Sequence, residues 1–513
     1  MGVEPRRAPE GPAGRAAPAR HAAEPTGSGF AGPRPSGAGP SGSEPAGFER
    51  NGFELNGVDR IPEHERTSTP GTFFVIFIGG SVGLGAVAFG WVGLGFQLGL
   101  WATVSAIAVG TAVGVALLVP LVLIGSRTAT NNATSSGAMF GVRGRLIGSG
   151  IGLLTCLVSV ALTVWTSGAA GVAVAGRLLG LPDSLGAQAV TYALVAAVSA
   201  AVAIWGYRWL VRATATIFAL GGALMVLMPF AFIGKINWSY AGGEPVLGTF
   251  WATWLLVAVT VGVGGALVVC TIIGDWTRYI SGDRYPARAL APIASLGLFL
   301  GFVVPAAIGA IVATAFTDPL APFPVSLAGE SPLWYAFPLL PFAVLGGVGL
   351  VAQSLYSAGL DLEALVVSIS RARATVIIAV IGVVLVYLGL LAPTIQGAIG
   401  AALLVLAELS APWAVIVAIG FLRARGRFDA DDLQVFNRRE TGGRYWYSGG
   451  WNWPATAAWV AGSVAGLLTI QTLLFSGPLS GLAAGVDVSL LLGAVVAAVI
   501  YVPFSARQGA AAR

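Results

Sequence analysis

One acidic residue stands where none is expected. Glu408, within "LLVLAELSAPW", is the only Asp, Glu, Lys, Arg or His deep inside any apolar run long enough to cross a bilayer. A charge at that depth costs at least a few kcal/mol, so its side chain is expected to face the helical bundle and to serve as a proton relay or a gate. Three other polar groupings have helical spacing. Thr155, Ser159, Thr163 and Thr166 recur at intervals of four, four and three. One helix face is therefore wet, or each hydroxyl bonds the preceding turn of its own helix. Gln353, Tyr356 and Ser357 also share a face, and a buried glutamine amide offers both donors and acceptors, to a ligand or to another helix. Asp275 and Arg278 are spaced for pairing on one turn and are expected to lock a gate at the membrane edge.

Backbone groups are a further source of binding chemistry. The stretch "IGGSVGLGAVAFG", Ile78 to Gly90, lies in an uncharged run from Thr72 to Gly125, yet five of its thirteen residues are glycine. Glycine weakens a helix by about 1 kcal/mol relative to alanine. A second glycine cluster, Gly262, Gly264 and Gly265, sits in "VTVGVGGALVV" five apolar runs later. Glycine-interrupted segments at matching places in two halves mark discontinuous helices whose bare peptide groups bind solute and ion. The rival reading is close helix packing through small residues.

Other chemistries find no support. Both histidines, His21 and His64, precede the first apolar run, and the cysteines Cys156 and Cys270 lie inside apolar runs. No metal-ligand or hydrolase constellation results, so neither a cofactor nor an enzymatic activity is expected. Gly148, Gly150 and Gly152 open no strand–turn–helix unit and form no phosphate loop. The net charge of +5 is dispersed over loops, which argues against nucleic acid as a partner. A small solute and the lipid bilayer are the expected partners.

The elements that must position these residues follow from hydropathy. Of 513 residues, 56% are apolar and 10% charged, against about 25% charged in soluble domains. Apolar runs of spanning length occur near 72–95, 98–124, 146–176, 187–206, 213–234 and 248–273. Six more occur near 289–316, 335–360, 374–392, 396–421, 452–475 and 486–506. Twelve spans place both ends of the chain on one side. Eighteen Lys and Arg residues outside the N-terminal tail fall on that side, and only Arg177 and Lys235 on the other. The positive-inside rule then puts both termini in the cytoplasm of a cell-membrane protein.

Residues 1–66, rich in Pro, Gly, Ala, Ser, Glu and Arg, are expected to be a disordered cytoplasmic tail. Residues 67–240 and 241–424 form two five-helix units, residues 425–451 a cytoplasmic loop with interfacial aromatics, and residues 452–513 a final helix pair with a short tail.

Four stretches together resemble the nucleobase:cation symporter-1 family, which includes the purine–cytosine permeases. They are "GDWTRYISGD" (Gly274 to Asp283), "VAQSLYSAGLDLEAL" (Val351 to Leu365), "FGWVGLGFQLGLW" (Phe89 to Trp101) and "RTATNNATSSGAMFGVRG" (Arg127 to Gly144). The resemblance implies an all-α polytopic protein of twelve helices with a leucine-transporter-type five-plus-five inverted repeat, helices 1 and 6 discontinuous. It implies import of a nucleobase or related small heterocycle (purine, cytosine, allantoin- or hydantoin-like) with a cation. Substrate-binding residues implied by it and by the spacings above are Ser81, Gly83, Trp165, Thr166, Gly264, Gly265, Gln353, Tyr356 and Ser357. Trp165 stands within two positions of the family's stacking tryptophan, whereas the corresponding tryptophan of helix 6 falls on Val269. A sodium site would use backbone at Gly80, Val82 and Gly83 together with Ser354; the adjacent hydroxyl pair typical of helix 8 is absent. Glu408 offers proton coupling instead. An amino-acid or amine symporter on the same scaffold, and a channel or non-transporting sensor, are the alternatives.

Overall fold

A computed structural model of the chain describes Gly2 and residues 49–50, 53–54, 56–472 and 475–510. Helices dominate it. The first apolar run is two helices, α1 (Pro70–Ser81) and α2 (Leu84–Leu94), bent by 64° at Val82–Gly83. Then come α3 (Leu100–Thr128), α4 (Leu146–Leu179), α5 (Leu185–Trp205), α6 (Tyr207–Ala231) and α7 (Phe250–Leu267). The second half continues with α8 (Ala287–Ala313), α9 (Leu333–Leu365), α10 (Arg371–Leu391) and α11 (Pro393–Arg423). The last two helices are α12 (Trp453–Thr469) and α13 (Ser489–Ala510). Among the described residues, nine helices are long and apolar enough to cross a membrane, or ten with the bent pair counted as one. Neither of the other two expected spans reaches spanning length among the described residues: α12 is a 17-residue helix, and the apolar part of α13 is Ser489–Ser505.

Local chemistry sets several of these ends. Thr69 caps α1 in a reciprocal box with Thr72, and Pro70 supplies a pre-set first helical residue. Ser184 accepts from the Ala187 amide at the start of α5 (3.2 Å). Gly180 closes α4 in the left-handed region at φ +68°. The helices α4 and α9 run along each other through the middle, α1 lies between α6 and α8, and α11 packs on α12 and α13.

Most of the N-terminal tail lies outside the described residues, but its last part departs from the expectation of disorder. Val58 and Ile61 are buried, as are Glu54, Asn56, Glu65 and Arg66. The Ile61 amide donates to the Ala129 carbonyl (2.9 Å) and the Ser68 amide to that of Tyr279 (3.1 Å). Two buried apolar side chains, and Glu54 paired with Arg278 and Arg371, offset the ordering entropy that composition alone predicts to win.

The loop between α11 and α12 is anchored on the 137–145 stretch. The Tyr447 hydroxyl donates to the Ala138 carbonyl (2.7 Å), and the Asn452 amide to that of Phe140 (2.7 Å).

Candidate functional site

The break between α1 and α2 is built by backbone approaching backbone. A Cβ on Gly83 would fall 2.8 Å from the Gly346 carbonyl oxygen of α9, and one on Gly349 the same distance from the Gly79 carbonyl oxygen. A Cβ on Gly79 would lie 2.2 Å from the Thr214 carbonyl oxygen of α6. Glycine is required at these crossings because anything larger separates the three helices. The Gln353 amide, nearly fully buried, occupies the space beside Gly80 and donates to the Ile76 carbonyl (2.7 Å). Gln353 thus ties α9 to α1 just before its break. Val82 and Ser354 are buried, and the Ser81 hydroxyl bonds back to the Phe77 carbonyl (3.0 Å).

The second discontinuity begins in the turn that holds Gly262 and extends past the glycines. Residues 258–263 form a π-helical turn and the helix runs on through Gly264 to Leu267. Regular helix is then lost over 268–273 before a short turn, Gly274–Thr277. Gly262 serves packing: its Cβ would lie 2.7 Å from the Gly110 Cα on α3. Gly264 faces Leu490 of α13, and with Gly265 it lines a cleft shared with Thr260, Val268, Asp487 and Ser489. Neither is brought to the α1 break. The irregular stretch itself is held by Asn132, whose amide donates to the Cys270 carbonyl (2.9 Å).

The structure separates other residues that their spacing groups. The Trp165 indole turns to α10, donating to the Val386 carbonyl (2.9 Å) with its ring against Gly389. That is core packing, not a platform facing the α1 break. The Thr166 hydroxyl bonds the Leu162 carbonyl of its own helix (2.8 Å). Tyr356 points toward the arginine-rich end of the bundle, and Ser357, one residue on, lies beside Asp275. Glu408 is fully buried, but it faces α12 and α13.

At the arginine-rich end, Arg278 does not take Asp275 as its ion partner. It pairs with Glu54, whose carboxylate is nearly fully buried (Nη2 to Oε1, 3.2 Å). The second Glu54 oxygen faces Arg371 Nη2 at 3.1 Å and accepts from the Tyr207 amide at 2.7 Å. The Tyr356 hydroxyl donates to Oε1 (3.1 Å), and so does that of Tyr279. Arg278 further donates to the Gly57 carbonyl, and Arg66 Nε to that of Arg278 (3.1 Å). One carboxylate therefore joins the N-terminal segment to α9, α10, the start of α6 and the turn after the irregular stretch. Asp275 lies alongside, and burial pushes its carboxyl up to about 7, against the opposing pull of Ser357 and Arg278.

Glu54 and Arg371 have no signal in the sequence beyond their charge, since each acquires its partner only through the fold. Two more residues belong to these surroundings. Trp276 is buried with its ring 6.3 Å from Phe77 of α1 and its indole nitrogen without a partner. Asp361, one turn beyond Ser357, abuts Gly152 of α4 and the Thr271 hydroxyl side of the irregular stretch.

Comparison with known proteins gives this geometry its context. Residues 60–493 match the model of the family described as permeases for cytosine/purines, uracil, thiamine and allantoin. No curated protein matches the sequence. Among solved structures, the chain is similar to Mhp1, a nucleobase-cation-symport-1 family transporter, in a closed conformation with bromovinylhydantoin bound. That pair shares 19% identity over 89% of this chain and 96% of the other, at a TM-score of 0.68. It is similar as well to the inward-facing conformation of Mhp1 (21% identity, 89% and 94% covered, TM-score 0.62). The fold is the leucine-transporter type expected from the sequence. On the strength of a family match covering most of its length, the chain belongs to the cytosine/purine permease family of membrane transporters, not to any class of enzyme.

Proposed function

We propose that this protein imports a nucleobase or related small heterocycle across the cell membrane by cation-coupled symport with alternating access. Both termini and the arginine-rich mouth are cytoplasmic in this reading, and all twelve helices span. The family match over residues 60–493 supports the substrate class. The observation that carries the mechanism is the 64° break of α1, held against α9 by Gln353 and by the Gly83–Gly346 crossing. A discontinuous helix of this kind presents unpaired peptide groups at mid-membrane, where irregular backbone is tolerated only beside protein or a wet cavity. The edge of a planar heterocycle, with alternating donors and acceptors, suits such groups together with a glutamine amide.

The ion network at the mouth is the cytoplasmic gate. In this reading Arg278 belongs to it, with Glu54 as its anionic partner and Asp275 alongside. Passage of solute to the cytoplasm requires Glu54 to leave Arg278 and Arg371.

The reading is tested in proteoliposomes by counterflow of labelled cytosine, hypoxanthine, uracil, allantoin and hydantoin, with amino acids as controls. Exchange of at least one heterocycle is expected, accelerated by an inward proton or sodium gradient. Exchange of amino acids alone would transfer the protein to the amino-acid symporters, and flux without counterflow would make it a channel.

A further inference from the structure

Glu408 differs from every other buried acid that the mouth employs. Its residue is 0% exposed, and neither carboxyl oxygen has a hydrogen-bond partner. Space for it is made by two glycines on different helices: a Cβ on Gly466 of α12 would lie 1.5 Å from Oε1, and one on Gly493 of α13 2.4 Å. The carboxyl is thus lodged where two backbones part. The groups facing it are the Ser489 hydroxyl and the Asp487 carboxylate, both on the approach to α13. Asp487 is itself engaged with the amides of Gln471 (3.2 Å) and Ser489 (3.0 Å). The neighbouring helices add no counter-charge. Between Trp453 and Thr469, α12 carries no titratable side chain, nor does α7 from Phe250 to Leu267. On α13 Tyr501 is the one such group before Ser505, and on α11 the only other charged residue is the terminal Arg423.

From this cradle we propose that Glu408 of α11 is a proton-binding site where that helix meets the final pair α12 and α13, and that it holds the coupling proton of the carrier. The second part rests on the transport reading above; the first does not. An ionised carboxylate with no donor bonded to it is strongly disfavoured in an apolar surround. The protonated acid is the form this cradle accepts. Loading forms one O–H bond at a carboxyl oxygen with a proton from bulk water, and no other bond changes. A sodium ion would demand a shell of several oxygens, which hard cations require; the glycine backbones press too close to admit it. The site also adjoins the irregular part of segment six. Ala407, the residue before Glu408, lines the same cleft as Thr260 and Gly265 of α7 and Ser489 of α13. Movement of α7 would therefore open or close the route by which water reaches the carboxyl.

Infrared difference spectroscopy on the full chain in bilayers tests the site without any need for transport. Acid-minus-alkaline spectra are expected to contain a protonated-carboxyl band that disappears in Glu408→Gln and is indifferent to sodium at fixed pH. An unchanged set of bands in Glu408→Gln overturns the proposal, as does a band set by sodium and not by pH. Should that variant fail to fold, Ser489→Ala removes the one hydroxyl facing the carboxyl and is expected to move the pH at which the band is lost; an unmoved band overturns the assignment. In proteoliposomes, Glu408→Gln is expected to keep heterocycle counterflow while losing accumulation driven by a proton gradient. Retained accumulation sinks the coupling role. A wild-type protein that exchanges no heterocycle would sink the transport reading and leave the infrared result standing.

Discussion

Glu54 and Glu408 are both buried carboxylates, yet the protein treats them in opposite ways. Glu54 sits among two guanidinium groups, two phenolic hydroxyls and a backbone amide. Glu408 sits among glycines with no partner for either oxygen. Removing a charge from water costs several kcal/mol, and that cost is offset only where opposite charge and donors replace the lost hydration. Where they do, the carboxylate fastens elements together. Where they do not, the neutral acid is favoured over the carboxylate, which is the ground of the proton-site proposal.

The contrast makes its strongest prediction at the mouth. Glu54→Ala strands Arg278 and Arg371 as uncompensated buried cations, and a loss of about 3–5 kcal/mol is expected, read by thermal unfolding in detergent. A variant as stable as the parent would show that the ion network does not fasten this face. Less severe is Gly466→Ala, which drives a methyl group into the space of the Glu408 carboxyl. Overpacking of this kind costs about 1–3 kcal/mol, and Glu408→Ala in the same chain is expected to restore most of it. Failure of that rescue would mean the cradle is not where the carboxyl lies.

Asp275 supplies a pH test between the two extremes. Its carboxyl titrates near 7 when folded, against an ordinary value of about 3.9. Between those values the folded chain holds a proton that the unfolded chain releases. Its contribution is therefore fully present below about pH 4 and is lost as pH rises through 7. Asp275→Asn is expected to flatten stability across that window; an unchanged profile would assign the titration elsewhere. The smallest effect is expected for Glu408→Gln near neutral pH, within about 1 kcal/mol, because no hydrogen bond is broken and the isostere is neutral as the bound acid is. A large loss there would mean that the carboxyl has partners and resembles Glu54 after all.

Hydropathy, glycine content and four short motifs make much of this architecture readable. The kink at Val82–Gly83 is legible because the glycines that allow it lie in an otherwise uncharged run. The same reasoning finds the second discontinuity but not the part each glycine plays in it. Gly262 answers to Gly110, a residue 152 positions away, and composition cannot separate a glycine that loosens a helix from one that lets another helix approach. Trp165 is misread for a related reason: helical spacing fixes which residues share a face, not which neighbour that face meets.

Solvation of single segments is a local property, so the chain's own composition determined that it is a many-helix membrane protein and that Glu408 is costly where it stands. Pairing is not local. Only the tertiary structure decided that Glu54, from a segment whose composition reads as unstructured, supplies the counter-charge of Arg278 and Arg371. It alone set Glu408 in a niche made by glycines from two other helices, since electrostatic and steric partners are chosen by distance in space and not by distance along the chain.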